Sequence, residues 1–77
     1  MFKTSICFSS VQDVSQFVAL ANNYDFNINI IFEKYIINGK SLMGIFSLPL
    51  KKELCLKAEC DGDSSFITNV EPYVVRA

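Results

Sequence analysis

Three short segments in which apolar and polar residues alternate constrain the fold most strongly. They are residues 2–8, 26–32 and 54–58. Alternation with a period of two is typical of a half-buried β-strand, so each segment predicts one strand. One more strand is predicted over residues 35–37. It follows the strand over residues 26–32 after only two polar residues, Glu33 and Lys34. These two strands should form a hairpin, although Glu-Lys lacks the Gly or Asn of most tight hairpin turns.

A helix is predicted between the first two strands, over residues 10–22. Ser10 can cap its start, and Asn22-Asn23 can end it because asparagine tolerates the left-handed conformation. Apolar residues recur there at the spacing that gives a helix one buried face. They are Val11, Val14, Phe17, Val18 and Ala21.

A second, short helix is predicted over residues 42–48, after Ser41 and before Pro49, which cannot continue it. Ile45 and Leu48 lie three residues apart and can face the core. The other side carries the apolar residues Leu42, Met43 and Phe46, which we call the Leu42 patch. A two-turn helix cannot bury both of its sides, so this patch should be exposed, as partner sites on small proteins often are.

The last part of the chain predicts one more helix. Asp61-Gly62-Asp63 should turn the chain and cap the helix, and Phe66, Ile67 and Val70 have helical spacing. Pro72 should stop or kink it, and residues 73–75 should pack back in extended form. The order is then β-α-β-β-α-β-α. This order predicts an α+β open-faced β-sandwich, a four-stranded antiparallel sheet with helices on one face, as a single domain over residues 1–77.

Charge and hydropathy exclude several classes of partner. Seven basic and eight acidic residues nearly cancel, and the basic ones are scattered along the sequence. Nucleic-acid binding needs a clustered basic face, so it is not expected. No apolar run is long enough to span a bilayer, and the first residues do not resemble a signal peptide. We therefore expect a cytoplasmic protein that binds neither nucleic acid nor membranes.

The side chains available for chemistry are few. The chain contains no histidine, which excludes histidine acid-base chemistry and phosphohistidine in these 77 residues. Cys7, Cys55 and Cys60 are odd in number and widely spaced, so they predict neither disulfides nor a zinc site. There is no Gly-rich phosphate loop and no paired acid and base. We expect no metal, no cofactor and no enzymatic activity.

Residues 38–48, Asn-Gly-Lys-Ser-Leu-Met-Gly-Ile-Phe-Ser-Leu, carry a family resemblance. They resemble the stretch around the regulatory serine of HPr, the histidine-containing phosphocarrier of the sugar phosphotransferase system, which typically reads K-S-I-M-G-V-M-S-L. Residues 56–61 are similar to the family's fourth strand and acidic turn, with Cys60 where glycine is usual. Residues 15–22 are similar to its first helix. The resemblance implies the same order of strands and helices.

The chain departs from this family at its phosphorylated histidine. That histidine sits in a loop reading G-L-H-A-R-P-A before the first helix. Counting back from Phe17 places Ser10 at the histidine, Gln12 at the arginine and Asp13 at the proline, and the loop looks shorter, so the position is either Ser10 or deleted. Gln12 is neutral and Asp13 would repel an anion. The resemblance therefore does not imply phosphate transfer in the sugar transport relay.

The pattern is also similar to the catabolite-repression HPr proteins, which lack the histidine and keep the serine. That similarity implies that Ser41 is phosphorylated by an HPr kinase/phosphorylase and that a transcriptional regulator is a partner. It also implies that partners dock on the Leu42 patch, beside Lys40. A helix N-terminus suits a phosphate. However, Ser41 is also an ordinary N-cap, which stabilises a helix by about 1 kcal/mol.

Three functions stay open. The first is a regulatory module switched by phosphate on Ser41. The second is an interaction domain of the same fold without the switch. The third is a carrier using Ser10 or Cys7 as the nucleophile, which would need an activating base or cation that the sequence does not show. An exposed first strand or the Leu42 patch could also support a dimer.

Overall fold

The α+β class and the predicted order of elements are confirmed. The computed structural model describes residues 1–60 and 64–75. The strands are β1 (Phe2–Ile6), β2 (Ile28–Phe32), β3 (Tyr35–Asn38) and β4 (Leu54–Ala58), and the helices are α1 (Val11–Ala21), α2 (Leu42–Phe46), α3 (Ser64–Val70) and a 3-10 turn (Glu71–Tyr73). The predicted turn and cap at Asp61-Gly62-Asp63 lie outside the described residues.

The four strands form one antiparallel sheet in the order β1-β4-β2-β3. The alternation in β4 is followed residue by residue, because Leu54, Leu56 and Ala58 are buried whereas the residues between them are not. The register aligns Leu56 with Ile30 of β2 and with Thr4 of β1. One face of the sheet is therefore buried, and it is the face that the sequence pattern predicts.

A single hydrophobic core joins this face to the helices. Its largest fully buried aromatic residues are Phe8, which precedes α1, Phe17 within α1 and Phe66 in α3. Phe66 contacts the rings of Phe2, Tyr24 and Phe26 edge-on. α1 buries Val14, Phe17, Val18 and Ala21 as predicted. Val11 does not join the core, because it is the first residue of the helix and stays 59% exposed.

α1 ends at the predicted place but not for the predicted reason. Asn22 has φ −72°, in the right-handed region, so a left-handed asparagine does not stop the helix. Its side-chain Nδ2 instead donates to the carbonyl oxygens of Val18 (2.9 Å) and Lys40 (3.2 Å). These bonds satisfy a carbonyl at the helix end and tie it to the loop before α2.

The β2–β3 hairpin turns in two residues, as predicted. Glu33 has φ 54°, and among described non-glycine residues only Lys51 (φ 63°) shares a positive value. Positive φ at the first central residue alone is typical of a type II′ turn, where glycine is usual. After β3, the N–H of Gly39 donates to the carbonyl oxygen of Ile28 (2.7 Å) and extends the ladder by one residue.

Val74 and Val75 pack back against β1 in extended form, as predicted, whereas Tyr73 still belongs to the 3-10 turn. α3 ends at Val70, and Pro72 lies in the 3-10 turn that follows. The N–H of Cys7 donates to the carbonyl oxygen of Tyr73, and the N–H of Val75 donates to that of Ser5, both at 2.9 Å. This segment therefore covers the end of the β1 edge at Ser5 and Cys7, and the first strand is not exposed there. Within the described part of the chain, no helix could cross a membrane.

Candidate protein-binding site

Helix α2 begins at a side-chain cap, as predicted. The hydroxyl of Ser41 accepts a hydrogen bond from the N–H of Gly44 at 3.1 Å. The N–H of Ser41 in turn donates to the carbonyl oxygen of Asn38 at 3.0 Å. Ser41 thus joins the start of α2 to the end of β3, and its side chain is only half-buried.

The two sides of α2 differ as predicted. Ile45 is fully buried and Leu48, just after the helix, is 9% exposed, so these two residues hold the helix on the core. The Leu42 patch faces solvent: Leu42 is 41%, Met43 79% and Phe46 40% exposed. The prediction that this short helix exposes an apolar surface is confirmed. That partners bind to the Leu42 patch stays a prediction.

Gly44 sets how closely α2 approaches the sheet. A Cβ atom at this position would lie 2.9 Å from Cγ2 of Ile37 in β3 and 3.1 Å from Oγ of Ser41. Such distances are too short for a methyl group without displacement of its neighbours. A glycine inside a helix was a visible signal of close packing, but the sequence did not identify the residue it packs against.

Lys40 is next to Ser41 in sequence but is bonded elsewhere. Its ammonium group donates to the carbonyl oxygen of Tyr24 at 2.6 Å, and its N–H donates to Oδ1 of Asn38 at 2.9 Å. Its own carbonyl accepts the amide of Asn22. The structure therefore uses Lys40 to join the loop before α2 to the loop after α1.

The region before α1 holds the two candidate nucleophiles. Ser10 is the N-cap of α1, and its hydroxyl accepts from the N–H of Asp13 at 3.3 Å. The Asp13 carboxylate accepts from the N–H of Ser9 at 2.9 Å. The thiol of Cys7 is half-buried and lies 3.9 Å from the carbonyl oxygen of Phe8. Neither Ser10 nor Cys7 has a hydrogen bond to a cationic side chain among the described residues.

An aromatic residue also reaches this region. Tyr73 packs edge-on against the rings of Phe8 and Phe17, at centroid distances of 5.8 and 5.6 Å. Burial raises the pKa of Tyr73 above its ordinary value of 10.0, and the negative charge of Asp13 raises it further. The Asp13 carboxylate, which lies in the same first turn as the Ser10 cap, would repel a phosphate on Ser10. Across the described residues, no group of three potential ligands could hold a metal ion.

Comparison with known proteins identifies the family. The sequence model described as the PTS HPr component phosphorylation site matches residues 12–66, more than half of the chain. The chain belongs to the HPr family. HPr proteins are phosphocarriers that interact with other proteins of the phosphotransferase system, and they are not enzymes themselves. No curated protein matches the chain in sequence.

Solved structures of the family share the fold. Phosphocarrier protein HPr from Bacillus anthracis str. Ames superposes with a TM-score of 0.74 at 21% identity, over 96% of each chain. HPr-C-His from Thermoanaerobacter tengcongensis gives 0.73 at 24% identity, over 88% of this chain and 84% of that one. The histidine-containing phosphocarrier protein of a mycoplasma gives 0.72 at 18% identity, over 99% and 100%.

The family match covers one of the two candidate regions, the one around α2, and not the region before α1. The matched residues 12–66 include Ser41 and the whole Leu42 patch, but they begin after Cys7 and Ser10. Of these two candidate regions, the α2 region is therefore the one that carries both the sequence match and an exposed apolar surface.

Proposed function

We propose that this chain is a regulatory binding module of the HPr family, without phosphohistidine carrier activity, that acts in the cytoplasm. Ser41 is its phosphorylation site, and the Leu42 patch is its partner-binding surface. The observation that supports this most directly is that Ser41 caps the helix carrying the patch. A modified serine at that place changes the charge immediately beside the surface that a partner would contact.

A carrier function has less support from the residues. The 77 residues contain no histidine to hold a labile phosphate. Ser10 is bonded as a helix cap beside the Asp13 carboxylate, and a second negative charge there would be repelled. Activation of either Ser10 or Cys7 would require a base or a cation close by.

Phosphate on Ser41 would act through charge and hydrogen bonding. It would add a charge of about −1.5 to −2 and three acceptor oxygens. The N–H of Gly44, which now bonds to the hydroxyl, would be available to a phosphate oxygen. The family resemblance implies an HPr kinase/phosphorylase as the modifying enzyme and a transcriptional regulator as the class of partner.

The unswitched interaction domain is the second candidate, and one observation favours it. The ammonium of Lys40 is bonded to the carbonyl of Tyr24, so the nearest cation in the sequence is already engaged. A phosphate on Ser41 would then have to draw Lys40 away from Tyr24 or do without its charge.

Intact mass after incubation with HPr kinase/phosphorylase and ATP separates these candidates. We expect one added phosphate on the wild type and none on Ser41→Ala. Ser47→Ala is the matched control, because Ser47 lies at the other end of α2 and its hydroxyl donates to the carbonyl of Gly44. Ser47→Ala should be phosphorylated like the wild type. Phosphate on Ser41→Ala would reject Ser41 as the site, and so would the absence of phosphate on a folded wild type with active kinase. Labile phosphate from the upstream phosphotransferase, lost in Ser10→Ala or Cys7→Ser, would instead support the carrier.

Binding to the same kinase tests the surface independently of the chemistry. In a Ser41→Ala background, Met43→Glu should weaken binding tenfold or more, as expected when a charge enters the centre of an apolar contact. Ile36→Lys is the control, because Ile36 is 69% exposed and lies on the opposite face of β3 from Ile37, which α2 contacts. Equal affinity of the Met43 and Ile36 variants would reject the Leu42 patch as the docking surface.

A further inference from the structure

Strand β3 presents an open backbone edge. It is the last strand of the sheet, and Ile30↔Ile37 and Ile31↔Ile36 fix its register against β2. Because Gly39 donates to Ile28, residues 35, 37 and 39 point their backbone groups toward β2, and the residues between them point theirs outward. The N–H and C=O of Ile36 and the N–H of Asn38 therefore face solvent, and no hydrogen bond from another described residue reaches them.

The two edges of the sheet are protected differently. At the β1 edge, residues 73–75 take up the outward groups of Ser5 and Cys7. β3 has no such cover from the described residues, and its sequence Tyr-Ile-Ile-Asn has neither a charge nor a proline. Charged residues, proline and covering segments are the usual means of preventing edge strands from pairing. Tyr35 and Ile36 are instead 55% and 69% exposed apolar residues.

The open edge is complementary to itself in antiparallel register. If two copies pair about Ile36, the two Ile36 residues exchange N–H and C=O bonds. Asn38 then lies opposite Lys34 of the second copy, so its N–H can donate to the Lys34 carbonyl. The carbonyl of Asn38 already accepts from Ser41 and is not needed. This register gives four intermolecular hydrogen bonds without breaking any bond within a copy.

The side chains agree with the same register. Tyr35 lies opposite Ile37 of the second copy, on the face packed against the helices. Ile37 lines a largely apolar surface cavity of about 360 Å³, together with Phe32, Tyr35, Ser47, Leu48 and Pro49. The exposed Tyr35 ring of one copy can therefore cover the cavity of the other.

The charges at the ends of the strand are also compatible. The register brings Glu33 opposite the uncharged Gly39 of the second copy. Lys34 meets the neutral Asn38 and not another cation. No two like charges lie directly opposite each other, an arrangement that would destabilise paired strands.

We propose that two copies of this chain associate through β3, antiparallel and centred on Ile36, so that their sheets join into one. This proposal goes beyond the proposed function and uses a different surface from the Leu42 patch. A four-residue strand gives a small contact, so the dimer should be weak, with a dissociation constant of roughly 10 µM to 1 mM.

Sedimentation velocity over that concentration range tests the proposal. The wild type should shift from monomer to dimer, whereas Ile36→Lys should stay monomeric. Ile36→Pro removes the outward N–H but no bond to β2, and it should also stay monomeric. Met43→Glu is the matched control, because it places a charge on the other exposed apolar surface and should dimerise like the wild type.

Amide hydrogen exchange gives a second measurement at the residue level. The amides of Ile36 and Asn38 should become more protected as concentration rises, whereas that of Ile37, already bonded within the sheet, should not change. A wild type that is still monomeric at about 1 mM overturns the proposal. So does a dimer that Met43→Glu abolishes and Ile36→Lys retains, because that result would place the contact on α2.

Discussion

The turn between β2 and β3 holds a residue in a conformation that its side chain disfavours. Glu33 has φ 54°. A non-glycine residue with this backbone pays roughly 1–2 kcal/mol relative to glycine, which has no Cβ to collide with the following carbonyl. Glycine loses about 0.5–1 kcal/mol more chain entropy on folding. Glu33→Gly should therefore raise the free energy of unfolding by about 0.75 kcal/mol, the difference between the two midpoints, or the melting temperature by roughly 3–6 °C.

Urea denaturation followed by circular dichroism measures this difference. Lys34→Gly is the matched control: it is the next residue of the same turn, and its φ is not positive. It should lower the free energy of unfolding by about 0.5–1 kcal/mol, because glycine there brings only the entropy cost. The dependence on urea should be the same in both variants and the wild type. If Glu33→Gly lowers the free energy of unfolding as much as Lys34→Gly does, the positive φ of Glu33 carries no strain and the reasoning is refuted.

Two further predictions concern the β3 end and the C-terminal segment. Gly39→Ala should destabilise by roughly 1–3 kcal/mol in urea denaturation, since its Cβ would lie 2.6 Å from Cγ2 of the stiff Ile28 side chain; unchanged stability would mean that Ile28 yields without cost. The raised pKa of Tyr73 favours the neutral phenol in the folded state, so its contribution is present below pH 10.0 and is lost as pH rises through the folded-state pKa. Tyr73→Phe should therefore lose less stability than the wild type in that alkaline range, and an equal loss would contradict the assignment.

The strands and helices could be predicted because burial on one side imposes a period on the sequence. β4 follows its pattern at every residue, and α1 follows it at all but its first turn. The prediction failed where local preference and long-range contact differ. Asn22 has the residue type of a left-handed helix end, yet its amide bonds to Lys40, 18 residues away, and its backbone stays right-handed. A single sequence does not contain the position of that distant carbonyl.

The candidate site divides in the same way. The exposure of the Leu42 patch follows from the length of α2 alone, since a helix anchored through Ile45 must turn its other side to solvent. The Ser41 cap is likewise a local signal. The position of the Lys40 ammonium is not, because its acceptor is the Tyr24 carbonyl on another loop. Adjacency in sequence predicted that the Lys40 cation lies beside Ser41. In the folded chain the Lys40 ammonium instead donates to the Tyr24 carbonyl, 16 residues away in sequence.

Helix α2 and the residues just after it contribute to both proposed surfaces, and this determines where the surfaces can be tested. The Leu42 patch lies on the solvent side of α2, whereas Leu48, just past its end, lines the cavity beside β3. Ile45, buried between them, supports both, so a substitution there would disturb kinase binding and dimerisation together and would distinguish neither. Met43 and Ile36 are the most exposed apolar residues of their surfaces, at 79% and 69%. A charge at either can abolish one contact without unfolding the helix or the sheet, and the two proposals can therefore fail independently.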